Sequence, residues 1–178
     1  MEIILAENHG FCYGVKRAVE MANEAADGKG KSYTLGPIIH NPQVVDRLES
    51  KGVSPIQEVA DIDEGTMIIR SHGVGPAIYA EAEEKGLHIL DATCPHVKKA
   101  QQDAKSVIED GMTLVILGEK NHPEVKSINL WANNKGIIIE DEESAQKLQI
   151  VEKMGVVVQT TFSQFKFNSI IEILEKKS

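Results

Sequence analysis

Positive charge is scarce in this chain of 178 residues, in which 19 Lys and Arg stand against 27 Asp and Glu for a formal net charge of −8. A nucleic-acid-binding surface needs clustered Lys and Arg to neutralise phosphates, so the composition argues against nucleic acid as a partner. An acidic chain can still contain a local anion site, and a phosphorylated ligand is therefore compatible with it.

Long apolar runs are missing as well. No run approaches the roughly 20 residues that are needed to cross a bilayer. The chain opens with Met-Glu-Ile-Ile-Leu-Ala-Glu-Asn, which has an acidic side chain at position 2 and only four consecutive apolar residues. A signal peptide has a basic start and a longer apolar core. We therefore expect a soluble, cytoplasmic protein with no membrane partner.

Cysteine occurs only twice, at Cys12 and Cys94, and the two do not form a CxxC pair. In a reducing compartment, such cysteines indicate metal binding or catalysis rather than a disulfide. The sequence also lacks GxSxG, a Walker motif and a GxGxxG after its first apolar run. Serine hydrolases, nucleotide-hydrolysing enzymes and NAD enzymes are therefore poorly supported.

The chain does contain one unit that repeats along its length: a short β-branched run, a polar or Gly-rich corner and an amphipathic helix. Seven such runs are predicted strands: Glu2–Ala6, Ser32–Gly36, Met67–Arg70, Leu87–Asp91, Leu114–Gly118, Gly136–Glu140 and Gly155–Gln159. They are apolar throughout, which is typical of strands buried on both faces of a parallel sheet. This alternation predicts an α/β fold, with parallel sheets covered by helices on both faces and right-handed crossovers.

Proline marks four predicted helix starts, and glycine closes three of those helices. The prolines are Pro42, Pro76, Pro95 and Pro123, and the glycines are Gly52, Gly86 and Gly111. The long helix that begins at Pro95 is the expected hinge between two small α/β domains, which we place at residues 1–95 and 96–178.

The reactive side chains collect in the corners between predicted strands and helices. Eight candidates lie there: Cys12, His40, His72, Cys94, His122, Glu124, Thr160 and Thr161. Each is expected at the carboxyl end of a strand, where open α/β sheets bind their ligands. Random placement would put some of them on helix faces, so this distribution predicts one shared site.

Each candidate also has a plainer interpretation. Cys12 and Cys94 could be small buried side chains, although a helix N-terminus favours the reactive thiolate form. The histidines at 40, 72 and 122 could each cap a helix in a loop. Taken together, with helix N-termini and Gly-supplied N–H groups nearby, the three suit a phosphate or a diphosphate.

The remaining candidates are equally open to two interpretations. Glu124 could be an acid that the helix dipole favours, or a proton donor beside a bound anion. Thr160 and Thr161 could cap a helix, or they could pass a proton and orient a hydroxyl. The other three histidines have no comparable support: we expect His9 and His96 to be at most neighbours of the site and His88 to lie on the surface.

Six short motifs resemble those of the 4-hydroxy-3-methylbut-2-enyl diphosphate reductase family. They are Gly-Phe-Cys-Tyr-Gly-Val-Lys-Arg-Ala at 10–18, Ile-His-Asn at 39–41, Ser-His-Gly-Val at 71–74, Asp-Ala-Thr-Cys-Pro at 91–95, His-Pro-Glu-Val at 122–125 and Gln-Thr-Thr-Phe-Ser at 159–163. They occur in the family's order and at its spacings across the whole chain. The combination is far more specific than any single motif.

The resemblance implies a trefoil-like protein of three α/β domains around a [4Fe-4S] cluster, which three cysteines hold and whose remaining iron takes the substrate oxygen. It implies these roles by motif: cluster ligands Cys12 and Cys94, diphosphate ligands His40, His72 and His122, proton donor Glu124, and substrate contacts or proton relay Thr160 and Thr161. The implied reaction converts 4-hydroxy-3-methylbut-2-enyl diphosphate to isopentenyl and dimethylallyl diphosphate. This is the terminal step of the methylerythritol phosphate pathway, and its electrons would come from ferredoxin or flavodoxin.

The chain departs from the family pattern because it stops at Ser178, while the resemblance places the third cysteine in a later, third domain. We therefore expect this chain alone to be incomplete for catalysis and, with surface uncovered at the site, able to self-associate. Two other classes of function remain open. One is a cluster-free module that binds diphosphate, and the other is a zinc-bound or structural fragment that uses Cys12 and Cys94 with a histidine.

Overall fold

The computed structural model describes residues 3–7, 9–28 and 30–177 of the chain. Within them, the strands are β1 (Ser32–Leu35), β2 (Val53–Ile56), β3 (Thr66–Ile69), β4 (His88–Asp91), β5 (Thr113–Leu117), β6 (Ile137–Ile139) and β7 (Met154–Val158). The α-helices are α1 (Tyr13–Asp27), α2 (Pro42–Ser50), α3 (Pro76–Glu84), α4 (Pro95–Glu109), α5 (Pro123–Trp131), α6 (Glu142–Lys147) and α7 (Gln164–Leu174). No helix in this part of the chain is long and apolar enough to cross a membrane.

The strands form two separate sheets, and every strand pair in them is parallel. The first sheet has the order β2-β1-β3-β4, and the second has the order β6-β5-β7. In the first, Ser32 lies in register with Val53 on one side and with Thr66 on the other. The predicted parallel α/β class is therefore confirmed.

Helices cover both faces of each sheet, because successive side chains of a strand point to opposite faces. In β3, Ile68 packs into a core cluster with residues of α1 and α2, whereas its neighbours Met67 and Ile69 pack into a second cluster with Ala82 of α3. In β5, Ile116 packs with α4 and α5, and Leu117 packs with α6 and α7.

The prolines start the helices as predicted. Pro42, Pro76, Pro95 and Pro123 are the first residues of α2, α3, α4 and α5. Proline is suited to this position because the first helical N–H has no intrahelical partner. The N-cap of α2 is Asn41, whose side chain accepts a hydrogen bond from the Val44 N–H at 3.1 Å.

Two strand predictions are wrong. The run Glu2–Ala6 does not form a strand in its described part, residues 3–6, where Ile3, Ile4 and Leu5 pair with no other strand and are exposed. Conversely, β2 was not predicted, because it is short and contains Pro55, and proline is usually confined to edge strands. In the structure β2 is the edge strand of the first sheet.

The break between the sheets falls between β4 and β5. Helix α4 joins them, and it packs against β5, β7 and α5 of the second sheet. The division into domains at 1–95 and 96–178 stays a prediction.

Candidate functional site

Seven of the candidate side chains lie in the corners that precede six of the helices, and Glu124 lies in the first turn of α5. Cys12, Cys94 and His122 are the N-cap residues of α1, α4 and α5. His40 stands directly before the N-cap of α2, and His72 follows β3. Thr160 and Thr161 follow β7. Cys12 differs from the expectation in one respect, because no strand precedes it in the described residues.

These corners meet around one cavity of about 320 Å³ between the two sheets. Its walls include all eight candidates: Cys12, His40, His72, Cys94, His122, Glu124, Thr160 and Thr161. Phe11, Val15, Ile39 and Val97 add an apolar lining, and Asn41 and Ser71 add further polar groups. His9, His88 and His96 are not among the lining residues.

Three imidazole rings form the polar centre of this cavity. The ring centroids of His40 and His72 are 4.5 Å apart, those of His72 and His122 are 5.5 Å apart, and those of His40 and His122 are 5.9 Å apart. His40 and His72 belong to corners of the first sheet, and His122 belongs to a corner of the second. The cluster therefore exists only when the two sheets are packed together.

His72 is neutral at physiological pH. Burial lowers its pKa to about 4, and electrostatic interactions with His40, Arg70 and His122 lower it further. Its Nδ1 atom is buried and has no hydrogen-bond partner among the described residues.

His122 has a defined tautomer. Its Nδ1 accepts a hydrogen bond from the backbone N–H of Glu124 at 3.2 Å. An atom that accepts from an N–H cannot itself carry the proton, so a neutral His122 is protonated at Nε2. That N–H is available to donate to a ligand.

Glu124 is only 2% exposed, and Thr160 satisfies both of its carboxylate oxygens. The Thr160 backbone N–H donates to Oε1 at 2.6 Å, and the Thr160 hydroxyl donates to Oε2 at 2.8 Å. Within the described part of the chain, Glu124 forms no salt bridge with a Lys or an Arg. A buried carboxylate is therefore held by one residue at the cavity wall.

Thr161 is positioned by a residue that the sequence did not single out as a site residue. The Gln159 side chain donates from Nε2 to Thr161 Oγ1 at 2.8 Å, and its Oε1 accepts from the Glu119 N–H at 2.9 Å. Gln159 is buried and ties the end of β7 to the end of β5. The sequence indicated a role for Gln159 only through its place in the motif at 159–163.

Both cysteines are free thiols, with Cys12 exposed and Cys94 half-buried. Gly14 packs against Cys94: a Cβ atom at position 14 would stand 2.5 Å from the Cys94 sulfur. Glycine thus allows the start of α1 to approach the start of α4. The Arg17 guanidinium strengthens this contact by donating to the backbone oxygens of Thr93 and Asp91, at 3.2 and 3.3 Å.

Asp91 anchors the corner that carries Cys94. Its carboxylate pairs with Lys98 at 2.6 Å and accepts from the Tyr79 hydroxyl and the Thr93 N–H, each at 2.9 Å. Burial raises the pKa of Asp91, but the hydrogen bonds from Lys98, Thr93 and Tyr79 outweigh burial and hold that pKa below its usual value.

The chain was compared with known proteins. A family profile described as "LytB protein" matches residues 3–178. The 4-hydroxy-3-methylbut-2-enyl diphosphate reductases of Geotalea uraniireducens and Pelobacter propionicus are 48% and 49% identical over 172 and 178 residues. The alignments cover 97% and 99% of this chain and 61% and 63% of the relatives. The chain thus spans less than two thirds of the length of these relatives.

Two solved structures are also similar to this chain over nearly its whole length. The structure of the E-1-hydroxy-2-methyl-but-2-enyl-4-diphosphate reductase from Plasmodium falciparum is similar with a TM-score of 0.90 at 32% identity, over 96% of this chain and 55% of that one. A second structure, of an (E)-4-hydroxy-3-methyl-but-2-enyl diphosphate reductase, has a TM-score of 0.83 at 43% identity, over 97% of this chain and 63% of that one.

Proposed function

Because the chain belongs to the LytB protein family, we propose that it supplies most of the site of a 4-hydroxy-3-methylbut-2-enyl diphosphate reductase. The observation that carries this proposal is the single cavity in which three histidines, a threonine-held glutamate and two free thiols meet. The reaction removes the allylic hydroxyl and forms isopentenyl and dimethylallyl diphosphates, as the terminal step of the methylerythritol phosphate pathway.

The histidines would bind the diphosphate. The N–H at His122 Nε2 can donate to a phosphate oxygen, because the other ring nitrogen is already occupied by the Glu124 N–H. His72 and His40 face it from the first sheet. His40 directly precedes the N-cap of α2 and His122 is the N-cap of α5, and helix N-termini favour anions. A diphosphate is thus bound by both sheets at once.

Glu124 would supply the proton for the leaving oxygen. The balanced reaction consumes two electrons and two protons: the C–O bond breaks, the oxygen leaves as water, and one hydrogen remains on carbon. A protonated Glu124 can donate to the substrate hydroxyl directly or through the Thr160 hydroxyl, which lies 2.8 Å from its Oε2. Hydroxide is a poor leaving group, so protonation at this atom lowers the barrier.

Cys12 and Cys94 would be two of the cysteine ligands of a [4Fe-4S] cluster. Their chemistry fits, because iron–sulfur clusters are held by cysteine sulfur and both thiols are free and line the same cavity. When bound, the cluster would supply the electrons and a Lewis-acidic iron. Ferredoxin or flavodoxin would be the external donor.

Anaerobic reconstitution with iron and sulfide tests the cysteine assignment. The expected result is a brown, sulfide-containing centre with an EPR signal after reduction, which is weakened in both Cys12→Ser and Cys94→Ser. A colourless product in the parent chain, or colour that both variants retain, would contradict the assignment.

Diphosphate binding tests the histidine assignment separately. Calorimetry with inorganic diphosphate in EDTA should show binding that His72→Asn and His122→Asn weaken by at least about tenfold, since each removes a donor to a charged group worth roughly 1.5–3 kcal/mol. The matched control is His88→Asn, outside the cavity. Binding that survives Cys12→Ser and Cys94→Ser, in a chain that never holds a cluster, would favour the cluster-free binding module instead.

A further inference from the structure

We propose that His40, His72 and His122 form a binding site for a divalent transition metal such as Zn²⁺, with three histidine ligands and one open position. Each ring offers a nitrogen, and these atoms lie within 4.8 Å of one another. Nothing in the reductase reaction proposed above requires a metal at these residues. The site is distinct from the two thiols, although it shares their cavity.

The geometry is close to that of a zinc site. Zn–N bonds of about 2.0–2.1 Å in a tetrahedral site place the ligand nitrogens roughly 3.4 Å apart. The three rings therefore need to approach one another by little more than an ångström. His40 is exposed, whereas His72 and His122 are half-buried.

The ligand chemistry is also suitable. Imidazole binds Zn²⁺, Co²⁺ and Ni²⁺ well, and three imidazoles with no carboxylate select such metals over Mg²⁺ and Ca²⁺, which prefer oxygen. Metal binding requires neutral imidazoles. The buried Nδ1 of His72 has no hydrogen-bond partner among the described residues, so no protein hydrogen bond at that atom has to break when the imidazole binds a metal.

Glu124 does not complete the metal site. Both of its oxygens accept hydrogen bonds from Thr160, and a move towards the metal would leave that buried N–H and hydroxyl unpaired. Buried polar groups that lose their partners are strongly destabilising. The fourth position therefore stays open to water or to an anion from solution, as in zinc sites with three protein ligands.

A metal in this position would occupy the nitrogens that the proposed function assigns to the diphosphate. Zn²⁺ bound to these three histidines would then inhibit diphosphate binding. This consequence, unlike the metal site itself, rests on the proposed function.

The experiment is a titration of the full chain with Zn²⁺ in a Cys12→Ser/Cys94→Ser background, which removes the competing thiols. One metal ion per chain is expected, and Co²⁺ should give the intense visible absorption of a four-coordinate ion. Adding His40→Ala, His72→Ala or His122→Ala should weaken binding by more than about tenfold, since even outer-shell changes typically cost 10–100-fold. His88→Ala is the matched control and should have no effect.

The proposal is overturned if Zn²⁺ affinity is unchanged by all three cavity substitutions, or if the His88→Ala control lowers it equally. His40→Ala keeps the test decisive, because an exposed side chain is removed and the fold, followed by circular dichroism, is retained. The diphosphate titration in EDTA is independent of this one. Zinc binding without diphosphate binding would reject the proposed diphosphate site and support the metal site. Diphosphate binding without zinc binding would reject the metal site and support the diphosphate site.

Discussion

The hydroxyl of Ser127 lies 2.9 Å from the backbone oxygen of His72 and joins the two sheets at the cavity. Ser127 is in α5, which packs on the second sheet, whereas His72 follows β3 of the first sheet. The same hydroxyl lies 3.1 Å from the Glu124 backbone oxygen and accepts from Gln101 Nε2 at 3.0 Å. Ser127 and Gln101 are only 2% and 3% exposed. One buried hydroxyl is thus within hydrogen-bond distance of the backbone oxygens of both His72 and Glu124, and it fixes the positions of these two residues relative to each other.

Ser127→Ala should therefore loosen the site as well as the fold. It leaves the Gln101 amide without its acceptor, and an unsatisfied buried group costs about 1–3 kcal/mol. We expect a loss of that size in the free energy of unfolding by urea and weaker binding of inorganic diphosphate. Ser169→Ala is the control, because its exposed hydroxyl only contacts Phe165 one turn earlier. Equal effects of the two substitutions would argue against a link between the sheets.

Because Gly73 has no side chain, the Gln101 amide has room to bind Ser127. Gly73 has φ of +72°, and a Cβ atom there would stand 2.4 Å from Gln101 Nε2. Gly73→Ala therefore combines backbone strain with a steric clash. Gly86 has φ of +67° and no atom within 4 Å of an added Cβ, so Gly86→Ala carries the strain alone, about 1–2 kcal/mol. Thermal unfolding should show a clearly larger loss for Gly73→Ala, and equal losses would contradict the contact.

Local chemistry explains which parts of this structure could be predicted from the sequence. Proline and asparagine act within one helical turn, so the starts of α2, α3, α4 and α5 were predicted correctly. The apolar runs of β3 and β5 are buried on both faces and were equally clear. Parallel strands align their carboxyl ends, so candidates that follow strands of one sheet lie close together, and the packing of the two sheets then brings all eight to one cavity.

The rest depended on contacts between distant segments. The run Glu2–Ala6 has the composition of a strand but pairs with no strand in its described part, and β2 forms in spite of Pro55 because it lies at an edge. Ser127 gave no signal beyond its position three residues after Glu124, since its partners, His72 and Gln101, come from other elements. The roles of the eight candidates stay proposals.

Asp91 makes the free energy of unfolding depend on pH in the acid range. Its pKa in the folded chain lies below the ordinary value of 3.8, so its contribution is fully present above pH 3.8 and is lost as the pH falls below that value. Asp91→Asn should lower the free energy of unfolding by roughly 1–3 kcal/mol at pH 7, and the difference from the parent should shrink below pH 3.8. Asp103→Asn breaks only a surface pair with Lys99 and should change little.

The apolar start of the chain should promote self-association. Ile3, Ile4 and Leu5 are each at least 74% exposed, and Phe11, which lines the cavity, and Tyr13 are also exposed. Burial of such surface against a second copy is favourable. Sedimentation should show a concentration-dependent dimer that Leu5→Glu abolishes. The control is Ile150→Glu, which changes an equally exposed residue elsewhere, and a monomer at all concentrations would contradict the prediction.

Thr160 and Glu124 should behave as one unit. Thr160→Val removes a hydroxyl that donates to a buried carboxylate, and a hydrogen bond to a charged group is worth about 1.5–3 kcal/mol. Thr161→Val is the matched control, because it removes only a bond between neutral groups from Gln159, worth about 0.5–1.5 kcal/mol.

A double-mutant cycle measured by urea unfolding separates this coupling from general disruption. In a Glu124→Gln background the carboxylate is absent, so Thr160→Val should cost distinctly less than in the parent chain, with an interaction energy of about 0.5–3 kcal/mol. Thr161→Val should cost the same in both backgrounds, because it does not contact Glu124. Additive effects for Thr160 and Glu124 would mean that the hydroxyl does not hold the carboxylate, and a proton relay through Thr160 would lose its structural basis.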